Sequence, residues 1–166
     1  MRLIPKQISK EKHKYYSDKS VLDITVEIKD LLKKTKGLNF SVNLAGTFTS
    51  HNEFAITPKW QFAIIRGAER EIAYLKGKIY QDNKERTRVS FTVRPNSIFP
   101  FFFFVFPVFG ILMLTSTISK SYDGEIMAVG IIFTLLIPFV MLALGNSAKQ
   151  KLKDRFVKTF DLKTVS

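Results

Sequence analysis

Two long stretches of this chain contain no charged residue, and they constrain its fold more than any other feature. The first runs from Pro95 to Ser119 and includes SIFPFFFFVFPVFG, and the second runs from Ile126 to Ala148. Each is long enough to cross the roughly 30 Å hydrocarbon core of a bilayer as a helix. Phe101 to Phe104 are consecutive, so they surround the helix with apolar side chains, as expected of a lipid-facing segment. The sequence therefore predicts transmembrane helices at 97–118 and 126–145, joined by a short external loop at 119–125.

The charged residues lie outside these stretches, and most of them are basic. The chain carries 26 Lys and Arg against 14 Asp and Glu, a net charge of +12. Cations flank both ends of the predicted hairpin, with Arg94 before it and Lys149, Lys151 and Lys153 after it. The positive-inside rule then puts both chain termini in the cytoplasm. The N-terminal stretch MRLIPKQISKEKHKYY lacks the apolar core of a cleaved signal peptide. We therefore expect a multi-pass protein of the bacterial inner (cytoplasmic) membrane.

The residues before the hairpin predict a small cytoplasmic α+β domain at 20–94, preceded by a basic N-terminal segment at 1–19. Residues 20–36, SVLDITVEIKDLLKKTK, fit both an alternating strand and a helical stripe. Ser20 with Asp23 resembles a capping box and Gly37 a helix stop, which favours the helix. From residue 38 to 94 the apolar period is two, which predicts four or five short antiparallel strands. The predicted fold is an antiparallel β-meander with one covering helix, then the transmembrane hairpin and a C-terminal amphipathic helix.

The C-terminal tail, 148–166, is basic and amphipathic. Leu152, Phe156 and Phe160 recur every four residues and share one helical face, with cations around the remainder. One interpretation places this helix on anionic lipid at the membrane interface, with Lys151, Phe156 and Lys158 in contact with the membrane. The other packs the apolar face back onto the β domain. The pattern allows both.

No pattern typical of catalysis or metal binding occurs in the chain. It contains no cysteine, which excludes disulfides and thiolate chemistry, and its two histidines, His13 and His51, stand alone, without the set of partners at ligand spacing that a metal site needs. Nucleophile-elbow, phosphate-loop and dinucleotide motifs are missing from the sequence. The predicted spans carry no ionisable residue, which disfavours a proton relay or transporter site. We expect a protein that is not an enzyme, with no catalytic, cofactor or metal site.

The remaining candidates form a basic surface on the β domain. Nucleic acid is disfavoured as a partner, because the basic clusters KEKHKYYSDK, KKTK and KERTR are spread along the chain and interrupted by acids. The predicted function is a membrane-tethered, non-enzymatic interaction or regulatory module that binds a protein partner or the anionic headgroups of the inner leaflet, with self-association through the hairpin as a further contact. Two alternatives stay open, an accessory subunit of a membrane enzyme or transporter complex and a membrane immunity or stress protein. The candidate surface residues are Trp60, Arg66, Arg70, Arg86 and Arg88.

A series of short motifs runs through the predicted strands: LAGTF with Gly46, EFAI with Phe54 and Ile56, LKGKI with Gly77, and ERTRVSF with Thr87. Their order resembles a group of small uncharacterised bacterial membrane proteins in which a helix and a β domain precede two transmembrane helices. The resemblance covers about residues 20–115. The chain departs from the group's pattern at 66–70, where an Asn-Ser-aromatic segment is usual, and at Arg86, where a glycine is usual. The resemblance implies the architecture and no activity.

Overall fold

The structure is a computed structural model that describes residues 9–34, 44–58, 73–82, 86–120 and 124–164. The chain divides into a sheet unit, Lys10–Pro95 with Ala148–Ser166, and a helical unit, Asn96–Ser147 with Met1–Ser9. The α+β architecture predicted from the sequence is confirmed. The elements in chain order are β1 (Glu11–Ser17), α1 (Val21–Lys34), β2 (Leu44–Phe48), β3 (Glu53–Pro58), β4 (Ala73–Gln81), β5 (Thr87–Pro95), α2 (Ile98–Lys120), α3 (Gly124–Ile131), a π-helical turn (Ile132–Leu136), α4 (Ile137–Thr159) and β6 (Lys163–Thr164).

The sheet has six antiparallel strands in the order β2-β3-β4-β5-β1-β6. Strands β2 to β5 form the predicted meander, and β1 pairs with β5 from Glu11 opposite Val93 to Ser17 opposite Thr87. The prediction that residues 1–19 form a segment separate from the domain is therefore wrong for 11–17. In the sequence these residues resemble a charged tail, because every second side chain, such as Lys12, faces solvent. Tyr15, which lies between the exposed positions, is buried.

Helix α1 settles the ambiguity of the 20–36 segment in favour of the helix. Ser20 and Asp23 form the predicted capping box: the Asp23 N–H donates to Ser20 Oγ at 3.1 Å, and the Ser20 N–H donates to Asp23 Oδ2 at 3.3 Å. Ile24, Ile28 and Leu32 are buried along one stripe against the sheet. A strand would instead have put Leu22 and Val26 on the same face as Ile24 and Ile28, but Leu22 and Val26 are 71% and 47% exposed. The predicted stop at Gly37 lies outside the described residues.

The C-terminal part of α4 covers the same side of the sheet as α1. Phe156 is fully buried, with its ring centroid 5.1 Å from Phe91 and 5.4 Å from Phe54. Of the two interpretations of the tail, packing onto the β domain is the one observed. The lipid contact predicted for Phe156 is wrong, because the sheet takes up the apolar face that would have entered the membrane. The amphipathic helix predicted at the C-terminus is present as the last part of α4, which ends at Thr159.

Among the described residues, two helical stretches are long and apolar enough to cross a membrane, Ile98–Ser116 in the helical unit and Gly124–Thr159, which begins in that unit. They come into backbone contact at two glycines. A Cβ atom built on Gly110 would lie 2.2 Å from Thr134 Oγ1 and 2.6 Å from the Gly130 carbonyl oxygen. The Thr134 hydroxyl donates to that same carbonyl at 2.7 Å. The absence of a side chain at Gly110 and Gly130 is therefore what lets the helices approach so closely.

A partly buried ion pair joins β1 to α4 inside the sheet unit. The Lys149 side chain is 1% exposed, and its ammonium donates to Glu11 Oε1 at 2.5 Å. His13 Nε2 lies 3.5 Å from Glu11 Oε2. Burial tends to raise the pKa of Glu11, but the hydrogen bond and charge of Lys149 outweigh it and the pKa is lowered. Burial, together with the positive charges of Lys153 and Lys149, lowers the pKa of His13 in spite of Glu11.

We expect the sheet unit to lose stability on acidification in two steps. The folded pKa of His13 lies below its ordinary value of 6.5, so the unfolded chain binds the proton more readily and stability falls once the pH drops through 6.5. The lowered pKa of Glu11 adds a second loss as the pH falls below 4.5. Thermal melting of the full chain in detergent, followed by circular dichroism between pH 8 and about 2.5, measures both. His13→Gln should remove the first step and keep the second; an unchanged profile would contradict the assignment.

Candidate anion-binding face of the sheet

The side of the sheet opposite α1 and α4 carries a dense set of cations. Side chains alternate along each strand, and the buried members of β1, β4 and β5 all point to the helix-covered side. The intervening positions therefore point to the other side, where most of the charged ones are exposed. We call this side the basic face, and its cations on β1, β4 and β5 are Lys12, Lys14, Lys76, Lys78, Arg88 and Arg94.

Four lysines form the centre of the basic face. Lys12 and Lys76 lie on either side of Thr92, and Lys14 and Lys78 lie in the same way on either side of Ser90. From strand geometry, the block is about 10 Å across the strands and about 7 Å along them. The one acid among the described strand residues of this face is Glu53, whose Oε1 is 3.4 Å from Lys78 Nζ. Like charges so close together repel one another, so the face is suited to an anionic ligand.

Tyrosines and arginines occupy the two ends of the basic face. At one end Arg94 pairs with Tyr74 across the strands, and its Cζ is 5.2 Å from the ring centroid. At the other end Arg88 lies between Tyr16 and Tyr80, with its Cζ 5.0 Å from the Tyr16 ring centroid. Both distances are within the range of cation–π contacts. The face therefore offers planar groups at its ends and ammonium groups at its centre.

Arg88 is held in place by several partners. Its Nη2 donates to the Tyr16 hydroxyl at 2.7 Å and lies 2.6 Å from Asp82 Oδ2. Desolvation favours the neutral form, but the bonds to Tyr16 and Asp82 outweigh it and raise the pKa of Arg88. Its Nε is buried without a hydrogen-bond partner among the described residues. Arg88 is thus a fixed positive group rather than a mobile side chain.

A polar cleft of about 760 Å³ opens at the Arg88 end of the basic face. Arg86 and Lys163 contribute cations to its wall, and Tyr16 and Asp82 line it as well. The Lys163 ammonium donates to Asp18, an exposed pair that raises the pKa of the lysine. Arg86 is exposed and forms no ion pair within the part of the chain that the structure describes. The cleft therefore extends the positive surface past the end of the strands.

The structure brings together only part of the surface predicted from the sequence. Arg86 and Arg88 do lie side by side at the cleft. Trp60, Arg66 and Arg70 lie outside the described residues. Lys151 and Lys158 are exposed on α4, which covers the other side of the sheet, so they do not contribute to the basic face. The four central lysines were missed, although their alternation with buried residues in EKHKYYS and AYLKGKIYQ was a usable signal.

The described residues contain no group of three or more His, Cys, Asp or Glu side chains placed to hold a metal ion. Comparison of the chain with protein-family models, with curated proteins and with solved structures finds no match. The basic face is therefore interpreted from its own charge, aromatic content and exposure. What this arrangement can do chemically is bind anionic groups at several points at once.

Proposed function

We propose that this protein is a membrane-anchored, non-enzymatic interaction module whose basic face binds a polyanionic partner in the cytoplasm. The observation that carries the proposal is the gathering of six cations on three adjacent strands, on a side of the sheet that no described helix covers. Glu53 and Asp82 pair with two of these cations, Lys78 and Arg88. The sequence argument against a nucleic-acid partner rested on cations that are scattered along the chain and interrupted by acids. Folding places them next to one another and leaves most of the intervening acids elsewhere.

Anchoring in a bilayer is supported by the surface of the helical unit. Only 11% of the most apolar stretch of each of these two helices is buried. Large side chains such as Phe101, Leu135 and Phe139 are 59%, 67% and 75% exposed. Apolar surface left in water costs about 25 cal/mol per Å², and a continuous apolar patch of this kind marks a membrane or protein contact. Cations on both chain ends of the hairpin favour a cytoplasmic sheet unit.

The composition of the basic face favours a macromolecular partner over lipid headgroups. Attraction to anionic lipid headgroups requires only cations near the membrane surface, and each cation contributes about 1 kcal/mol to membrane binding. The basic face also carries Tyr16, Tyr74 and Tyr80, each of which lies beside an arginine of β5. Tyrosine and arginine are the side chains enriched where macromolecular partners bind. The face therefore has contact groups that a layer of headgroups would leave unused.

The test is binding of inorganic polyphosphate to the full chain in nanodiscs of neutral lipid. We expect binding whose affinity falls at least about tenfold between 50 and 200 mM salt, because several cations are neutralised together. No binding at low salt would overturn the proposal. The same measurement in nanodiscs that contain anionic lipid tests the alternative, that the basic face binds lipid headgroups. If anionic lipid alone abolished polyphosphate binding, the face would belong to lipid headgroups instead.

A further inference from the structure

We infer that the polyanion recognised by the basic face is a single-stranded nucleic acid. This deepens the proposed function and rests on it. The distinguishing feature is the combination of phosphate-binding and stacking groups on one open sheet surface. Proteins that hold single strands combine a positive surface along the backbone with aromatic side chains on which bases stack.

The dimensions of the basic face suit an extended strand. Tyr74 and Tyr80 are six residues apart on β4, which is about 20 Å along the strand. The four-lysine block lies between them, in the rows of Thr92 and Ser90. A few nucleotides would cover this length, with phosphates over the lysines and bases at the two ends. Arg86, in the cleft beyond Tyr80, continues the positive track.

The two arginine–tyrosine pairs supply the stacking positions. Arg88 lies over Tyr16 and Arg94 lies over Tyr74, so a planar guanidinium or phenol ring is available at each end. Splayed bases stack on aromatic rings and on arginine planes alike. An acidic protein segment would use the cations but would bring no aromatic bases to stack there. A duplex is disfavoured as well, since its bases are already stacked inside the helix and a flat sheet face enters neither groove.

Three probes of matched length and charge separate the outcomes: oligouridylate of about ten nucleotides, the corresponding abasic strand, and polyglutamate. Binding to the full chain in neutral nanodiscs is followed by fluorescence anisotropy. We expect the strand with bases to bind at least about fivefold more tightly than the abasic strand, since each stacked base is worth about 1–3 kcal/mol. Equal affinity for the two strands would overturn this inference and leave the polyanion-binding function intact. Failure of all three probes would overturn both.

Tyr80 provides the matched variants. Tyr80→Leu should reduce the preference for oligouridylate over the abasic strand, because it removes one of the two rings beside Arg88 while the Arg94–Tyr74 end stays intact. Tyr80→Phe should retain most of the preference because it keeps the ring. Tighter binding of polyglutamate than of oligouridylate would assign the face to an acidic protein partner and contradict the inference. Unchanged discrimination in Tyr80→Leu, with its circular dichroism spectrum intact, would also contradict it.

Discussion

Gly110→Ala is expected to destabilise the helical unit by about 3 kcal/mol, although the same change stabilises most helices by up to about 1 kcal/mol. The added methyl would lie 2.2 Å from Thr134 Oγ1, 2.6 Å from the Gly130 carbonyl and 2.7 Å from the Thr134 backbone nitrogen. Two of these three atoms belong to the backbone, so the contact is relieved only by separating the helices. Unfolding of the full chain by a denaturing detergent, followed by circular dichroism, measures the loss.

Gly124→Ala is the matched control for that change. Gly124 is the first residue of α3 in the same unit, and a Cβ built there meets no atom within 4 Å. We expect this variant to be as stable as the parent or slightly more so. Equal stability of the Gly110→Ala and Gly124→Ala variants would show that the helices do not approach through Gly110.

Phe156→Ala is expected to cost the sheet unit about 3–5 kcal/mol of stability, as removal of a fully buried phenylalanine usually does. The Phe156 ring contacts the rings of Phe54, Phe91 and Phe160, with centroid distances of 5.4, 5.1 and 4.9 Å. Its loss would leave a cavity where three aromatic side chains meet. Thermal melting of the full chain in detergent is the measurement.

Lys158→Ala serves as the control for Phe156→Ala, because Lys158 lies two residues away on the same helix and is exposed. We expect its stability to stay within about 0.5 kcal/mol of the parent. The comparison also separates the two interpretations of the tail. If Phe156 faced lipid rather than the sheet, both variants would melt alike in detergent and would differ only in membrane binding.

The sequence predicts the architecture well where one physical rule dominates. Charge-free stretches indicate the two long helices, and the Ser20–Asp23 capping box identifies α1. Strand β1 was missed because its exposed lysines made EKHKYYS look like a tail, although Tyr15 is buried in it. The sequence of a strand inside a sheet is apolar throughout only when both faces of the sheet are covered, and here one face is open.

The helix contact and the basic face depend on pairings that the sequence does not show. Gly130 and Thr134 form a small-xxx-small pair, yet its importance appears only when Gly110 of the other helix is placed against it. Similarly, Lys12 and Lys76 are far apart in the chain and meet only through the register of β1 and β4 on β5. Long-range pairing, rather than local propensity, creates the candidate site.

The most direct test of the basic face is a comparison of two double charge reversals in the polyphosphate-binding measurement. Lys12→Glu with Lys76→Glu changes the face, and Lys151→Glu with Lys158→Glu makes the same change in net charge on the helix that covers the other side. We expect the first variant to lose binding by about tenfold or more and the second to change it by less than about threefold, since exposed charges beyond a Debye length of about 8 Å are largely screened. Equal losses in the two variants would mean that only net charge matters, and would contradict a binding site on this face.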